Sequence, residues 1–141
     1  MNLNLEQARE IVAATRAEAH RSGLKPVAVV VLDSGGHIIA VEREDGTSKG
    51  RFEVAYGKAN GALALGVGSR ALMSRAEQQP YFIAAVTSAV GGALVPVPGG
   101  VLVFDGRTLV GAVGVSGDTS DNDEAAACSG IRAAGLVAQP D

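Results

Sequence analysis

The sequence predicts an α+β domain in which helices pack against an antiparallel sheet. Two pairs of β-branched runs, each joined by a short turn containing glycine, indicate two hairpins with turns near residues 34–36 and 106–107. Stretches with apolar residues at helical spacing precede, separate and follow these hairpins. Links this short cannot form a crossover, so each pair of strands must be antiparallel. The order helix, hairpin, helices, hairpin, helix is typical of a single layered domain, predicted here over residues 1–141.

The first half of the chain supplies one helix and the first hairpin. A helix is predicted from about Leu5 to Arg21, with Asn4 as its N-cap and Gln7 completing a capping box. Gly23 is expected to end this helix. Strands are then predicted over 27–33 and 37–43. The first strand is apolar on both faces, which predicts a central position in the sheet.

The rest of the chain, from about residue 48, is predicted to hold four helices and the second hairpin. A long helix is expected over 48–67, followed by short helices over 69–77 and 79–89. Gly57 and Gly61 each disfavour the long helix by up to about 1 kcal/mol relative to Ala, so we expect another backbone to approach closely there. A loop over 91–100 leads into strands over 101–105 and 109–115. The last helix is expected over 121–136, with Ser120 as its cap.

Composition excludes several classes of function. The net charge is −3 and the basic residues are scattered, which argues against nucleic-acid binding. The longest aliphatic run, over 27–32, is too short to cross a membrane, and the N-terminus lacks the pattern of a signal peptide. The single cysteine, Cys128, suits a reducing compartment and hence the cytoplasm. Charged residues make up only 19% of the chain, which favours a homo-oligomer that covers part of the apolar surface.

Two cations and a glycine loop form the main candidate site. Arg43 is expected at the end of a strand, and Lys58 lies among small residues that give it little cover. Both are predicted to converge near the Gly99 and Gly100 loop and to receive a carboxylate or propionate there. The alternative is that both are solvated surface charges.

Acids and histidines supply further candidates. Asp123 and Glu124 open the last helix, where acids complement the helix dipole; alternatively, one of them faces a pocket and binds a cation. His37 and His20 are possible ligands of haem iron, although each alone is more often structural. No residues have the spacing of a zinc or di-iron site, so no metal site is predicted.

Motifs along nearly the whole chain resemble the GlcG/HbpS family of haem-binding proteins and the related C-terminal part of PduO-type proteins. The matching segments are 5–8, 29–37, 43–46, 58–59, 99–101, 111–117 and 123–124. The resemblance implies a profilin-like, PAS-reminiscent sheet and helix layer, assembly from dimers up to octamers, and binding of a small molecule, with haem the best known. It raises the expectation that Arg43, Lys58, Gly99, Gly100 and Glu124 edge one pocket. Ser116, in the matching glycine-rich segment 111–117, is a further ligand-binding candidate.

One departure from the family concerns Glu44. Members commonly carry an apolar residue before the Asp-Gly pair at 45–46, whereas this chain carries an acid. An acid beside haem propionates would be unfavourable, so the departure is expected to favour a different and smaller ligand.

Two main hypotheses follow. The first is a haem- or iron-binding accessory protein, with Arg43 and Lys58 on the propionates and His20 or His37 on the iron. The second is a small enzyme of the isomerase or lyase type that acts on a carboxylate-bearing metabolite. There Arg43 would anchor the substrate, Lys58 would polarise or deprotonate it, and Asp123 or Glu124 would act as acid or base. An interaction module without a ligand is the third alternative.

Overall fold

The computed structural model describes residues 2–141, so Met1 of the predicted domain lies outside the described residues. The elements in chain order are α1 (Leu5–Arg21), β1 (Ala28–Asp33), β2 (Ile38–Arg43), α2 (Arg51–Leu65), α3 (Ser69–Gln78), α4 (Pro80–Ala89), β3 (Gly100–Asp105), β4 (Thr108–Ser116), α5 (Ser120–Ala133) and β5 (Val137–Gln139). The predicted α+β class is confirmed.

The five strands form one sheet in the order β2-β1-β4-β3-β5, and every neighbouring pair is antiparallel. Both predicted hairpins, β1–β2 and β3–β4, are present. The expected central position of β1 is also confirmed, because it lies between β2 and β4. The sheet therefore begins at β2 and ends at β5, a strand of three residues that the sequence analysis missed.

Alternating side chains of the central strands pack on the two faces of the sheet. Val29 and Val31 of β1 face the layer formed by α1 and α5. Val30 and Leu32 face α2 on the opposite side. All four side chains are fully buried, so β1 contributes to both halves of the core. The result is three layers, with the sheet between α1/α5 and α2.

Glycines let α2 approach its neighbours closely. A Cβ added at Gly114 of β4 would lie 1.9 Å from the Ala55 carbonyl oxygen, so only glycine fits under the helix at that point. On its other side, α2 contacts the loop before β3. A Cβ at Gly61 would lie 3.3 Å from Leu94 Cα, and the Val95 amide donates to the Gly57 carbonyl at 3.1 Å. The predicted backbone approach at the two α2 glycines is thus confirmed.

Several element boundaries differ from those predicted. The capping box of Asn4 and Gln7 is present, but the cap of α5 is Thr119 and not Ser120. The long helix begins at Arg51 and not near residue 48, because residues 45–50 form the turns that follow β2. The last helix ends at Ala133, since Gly135 has a φ of +78° and the chain then turns into β5.

Glu44 connects α1 to the start of β1. One carboxylate oxygen accepts from the Val27 amide at 2.9 Å, and the other accepts from Arg16 Nε at 3.0 Å and contacts His20 Nε2 at 2.7 Å. Only 6% of the side chain is exposed. Desolvation raises the pKa of Glu44, but the hydrogen bonds from Val27, Arg16 and His20 together outweigh it and lower the pKa. The acid that departs from the family pattern therefore has a structural role.

We expect Glu44→Gln to lower the free energy of unfolding by about 2 kcal/mol at pH 7, because it removes a buried, charge-assisted acceptor. A carboxylate with a lowered folded-state pKa stabilises the fold above about pH 5, and the stabilisation is lost as pH falls through that pKa. The difference between wild type and Glu44→Gln should therefore shrink towards pH 3. Urea unfolding at several pH values measures this.

Glu42→Gln is the matched control for that variant. Glu42 also pairs with Arg16, at 2.6 Å, but its side chain is 51% exposed. We expect a change within about 1 kcal/mol at every pH, as for other exposed ion pairs. An equal difference between wild type and Glu44→Gln at pH 3 and pH 7 would contradict the assigned role of Glu44.

Candidate functional site

Lys58 is buried in an ion pair on the α2 face of the sheet. Its Nζ donates to the Val115 carbonyl at 2.9 Å and to Asp123 Oδ2 at 3.2 Å. The two side chains are 2% and 1% exposed. Desolvation lowers the pKa of Lys58, the charge of Asp123 opposes this shift, and the nearby guanidinium of Arg51 adds to it. The expectation that Lys58 has little cover is therefore wrong.

Gly99 and Gly100 lie against Lys58. A Cβ added at Gly99 would lie 2.7 Å from Lys58 Nζ, and one at Gly100 would lie 2.2 Å from the Lys58 carbonyl oxygen. The backbone carbonyl of Gly99 also accepts from the Val115 amide at 2.9 Å. The structure thus brings the glycine loop and Lys58 together, and the glycines make room for the buried lysine and its helix.

Arg43 is not brought together with Lys58. Its Nη2 donates to the Thr47 carbonyl at 2.7 Å, and the residue is exposed on β2. Lys58 instead reaches Val115 on β4, and β1 lies between β2 and β4. Two strand spacings separate the attachment points by about 10 Å. Within residues 2–141 Arg43 and Lys58 share no hydrogen-bond partner, so the predicted convergence on one ligand is not supported.

Asp123 and Glu124 point to different partners. Besides Lys58, Asp123 accepts from the Asp118 amide at 2.9 Å and from the Gly117 amide at 3.4 Å. Glu124 accepts from Arg70 Nε with both oxygens, at 3.0 and 3.2 Å. The hydrogen bonds to Glu124 and then to Asp121 raise the pKa of Arg70. Both acids are thus held in ion pairs with basic side chains.

Ser116 binds Arg51, a residue that the sequence analysis did not predict to be part of the site. Its buried hydroxyl accepts from Arg51 Nη1 at 3.0 Å. Arg51 is the first residue of α2 and half-buried, so the contact fixes the guanidinium beside the end of β4. Arg51 and Ser116 are 65 positions apart in sequence. The one signal in the sequence is that Arg51 is a basic residue a few positions after the charged turn over 42–46.

The two histidines differ in which ring nitrogens have partners. His20 Nε2 contacts Glu44 at 2.7 Å. His37 Nδ1 contacts Asp33 Oδ1 at 3.2 Å, and its side chain is 82% exposed at the β1–β2 turn. No partner of His37 Nε2 is present within residues 2–141. An imidazole that is oriented by a carboxylate and has its other nitrogen free has the arrangement of a metal ligand.

An open apolar groove lies beside α2. Its volume is about 390 Å³, and it is lined by residues 52–54 and 56–57 of α2 together with residues 92–95. Phe52 and Tyr56 stack there with ring centroids 6.1 Å apart. Asn60 lies between the groove and the β1–β2 turn. Its Nδ2 donates to the Ala93 carbonyl at 2.9 Å, and a Cβ at Gly36, next to His37, would lie 3.5 Å from its Oδ1.

Neither a cluster of metal ligands nor a membrane-spanning helix is present within residues 2–141. No group of three or more His, Cys, Asp or Glu side chains within residues 2–141 is arranged to hold a metal ion. None of the helices over the same residues has both the length and the apolar character that crossing a bilayer requires.

Comparison with known proteins gives a family and similar structures. None of the curated proteins matches the chain. Among solved structures, HbpS is 28% identical with a TM-score of 0.81, and the match covers 94% of this chain and 89% of HbpS. Protein ORFY of Klebsiella pneumoniae is 25% identical with a TM-score of 0.85, covering 94% and 90%.

The PduOC structure, solved as a haem complex, is 23% identical with a TM-score of 0.86, covering 96% of this chain and 97% of PduOC. At that identity the likeness establishes the fold alone. A sequence model described as "Haem degrading protein HbpS-like" matches residues 3–132, nearly the whole chain. The resemblance inferred from the motifs is therefore confirmed, and the chain belongs to the HbpS-like family.

Proposed function

We propose that this protein binds haem in the apolar groove beside α2, with His37 as the iron ligand, and acts as a haem- or iron-handling accessory protein. The observation that carries the proposal is an exposed imidazole, oriented by Asp33, at a turn that lies near Asn60, whose side chain contacts the groove. Membership of a family described as haem degrading supports haem as the ligand.

The residues of the groove fit a porphyrin. Stacked Phe52 and Tyr56 offer an aromatic wall, and Gly57 leaves room beside it. The imidazole Nε2 of His37 is a suitable donor for haem iron. Lys58 is enclosed and therefore not available to the propionates, and Arg43 lies at the opposite end of β2 from His37. His20 is a poorer ligand because Glu44 occupies its Nε2.

The enzymatic alternative is less well supported. A lysine that deprotonates a substrate must reach it, but Lys58 Nζ is enclosed and donates to Val115 and Asp123. Asp123 is equally buried, and Glu124 is held by Arg70. Binding thus has more support than acid–base catalysis by these three residues.

A cytoplasmic location is part of the proposal. The one cysteine, Cys128, is buried in α5 and unpaired, and desolvation raises the pKa of its thiol. A free thiol that forms no disulfide is typical of proteins in a reducing compartment. The haem that it handles would then be intracellular.

We also propose that the protein forms homo-oligomers, from dimers up to octamers. Ile38 and Val41 lie on β2, an edge strand of the sheet, and are 51% and 36% exposed. An exposed edge strand can pair with the same strand of a second copy. Light scattering at micromolar concentration should give a multiple of the chain mass, and Val41→Lys should lower it. A monomer mass for the wild type would contradict the proposal.

We expect titration with haemin to shift the Soret band of the wild type at a stoichiometry near one. His37→Ala should lower the affinity at least about tenfold, because it removes the metal ligand. Absorption spectroscopy measures both the shift and the affinity.

His20→Ala is the matched control and should bind haemin as the wild type does, since its ring contacts Glu44. The absence of any Soret shift in the wild type would overturn the function. An unchanged His37→Ala together with a weakened His20→Ala would overturn the assignment of the ligand.

A further inference from the structure

A second cavity, which we call the basal cleft, lies where the chain enters β1 and leaves β4. Its volume is about 230 Å³. Its walls are Lys25 and Pro26 before β1, residues 46–48 after β2, Arg51 at the start of α2, and Gly117 after β4. The segments that form it are separated in sequence by up to 92 positions, so the cleft exists only in the folded chain.

Positive charge accumulates at the basal cleft. Lys25 and Arg51 line it, and none of the lining residues is acidic. Arg43 lies next to the cleft, because its Nη2 donates to the carbonyl of Thr47, a lining residue. Among the described residues, none of these three cations takes part in an ion pair. Positive charge is therefore concentrated at this cleft of a chain whose net charge is −3.

Two acids that follow β4, Asp118 and Asp123, are held by other groups. Asp118 accepts from the amides of Lys25 and Thr119 and from Asn122 Nδ2, which lowers its pKa to about 2. Its carboxylate fixes the backbone of Lys25, and the positive charge of Lys25 contributes to the lowered pKa of Asp118. Asp123 is enclosed with Lys58. Neither acid lines the cavity itself.

Arg51 is fixed in place and retains free donors. One Nη1 hydrogen bond to Ser116 orients the guanidinium, and its other donors have no acceptor within residues 2–141. Arg51 also lies close enough to Lys58 to lower the pKa of that amine, so the two positive charges are near each other. An oriented guanidinium with unused donors, beside a lysine and a hydroxyl, is the usual arrangement for holding an oxyanion.

We propose that the basal cleft binds a small oxyanion, a carboxylate or a phosphate, between the Arg51 guanidinium, the Lys25 ammonium and the Ser48 hydroxyl. The cavity has room for a ligand of a few heavy atoms, and Gly46 and Gly117 add no side chain that would fill it. The site is separate from the apolar groove and does not depend on haem binding.

Calorimetric titration with inorganic phosphate and, separately, with succinate at low ionic strength tests this site. We expect saturable binding of at least one probe to the wild-type protein. Lys25→Gln and Arg51→Gln should each lower the affinity about tenfold or more, because each removes a charge-assisted hydrogen bond. Lys25 is exposed, so its replacement leaves the fold intact even where Arg51→Gln, which also loses the Ser116 contact, does not.

Arg107→Gln is the matched control, because Arg107 is an exposed cation in the β3–β4 turn, outside the cleft. It removes the same charge and should leave the affinity unchanged. Tighter binding of phosphate would identify a phosphorylated ligand, and tighter binding of succinate a carboxylate; both support the oxyanion site. No binding of either probe, or an equal loss of affinity in Lys25→Gln and Arg107→Gln, would overturn it.

Discussion

The ion pair between Lys58 and Asp123 is the interaction on which the arrangement of both sites depends. It joins α2 to the first turn of α5 across the end of β4, and less than a few per cent of either side chain is exposed. Burying two charges is unfavourable unless each is paired and hydrogen-bonded. Here Val115 supplies an acceptor to the amine, and the amides at 117 and 118 donate to the carboxylate. The pair thereby fixes α2 and the loop after β4 relative to each other.

Both proposed sites use the helix that this pair fixes. Phe52 and Tyr56 of α2 line the apolar groove, whereas Arg51, one residue earlier, lines the basal cleft. The same loop that donates to Asp123 supplies Gly117 to the cleft. A shift of α2 would therefore alter an apolar surface suited to a porphyrin and a cationic surface suited to an oxyanion together. This makes Lys58 a positioning residue in our account.

The fold was predictable from local patterns, and the site was largely not. Alternating apolar residues and glycine turns predicted both hairpins, and helical spacing predicted α1 and α2, because these signals act over a few residues. The contact of Lys58 with Asp123 spans 65 positions, as does that of Arg51 with Ser116, and nothing local marks either partner. Lys58 was expected to have little cover because its neighbours in sequence are small, yet Gly99, Gly100 and the Val115 carbonyl, all distant in sequence, lie against it. A strand as short as β5 has no periodicity to detect.

A double-mutant cycle on Lys58→Met and Asp123→Asn, followed by urea unfolding, tests the account most directly. Each single variant leaves one buried group without its partner and should lower the free energy of unfolding by about 3–5 kcal/mol. The double variant should lose at least about 1 kcal/mol less than the sum of the two, since it leaves no unpaired charge. Losses that add to within about 0.5 kcal/mol would contradict the pairing and its role in fixing α2.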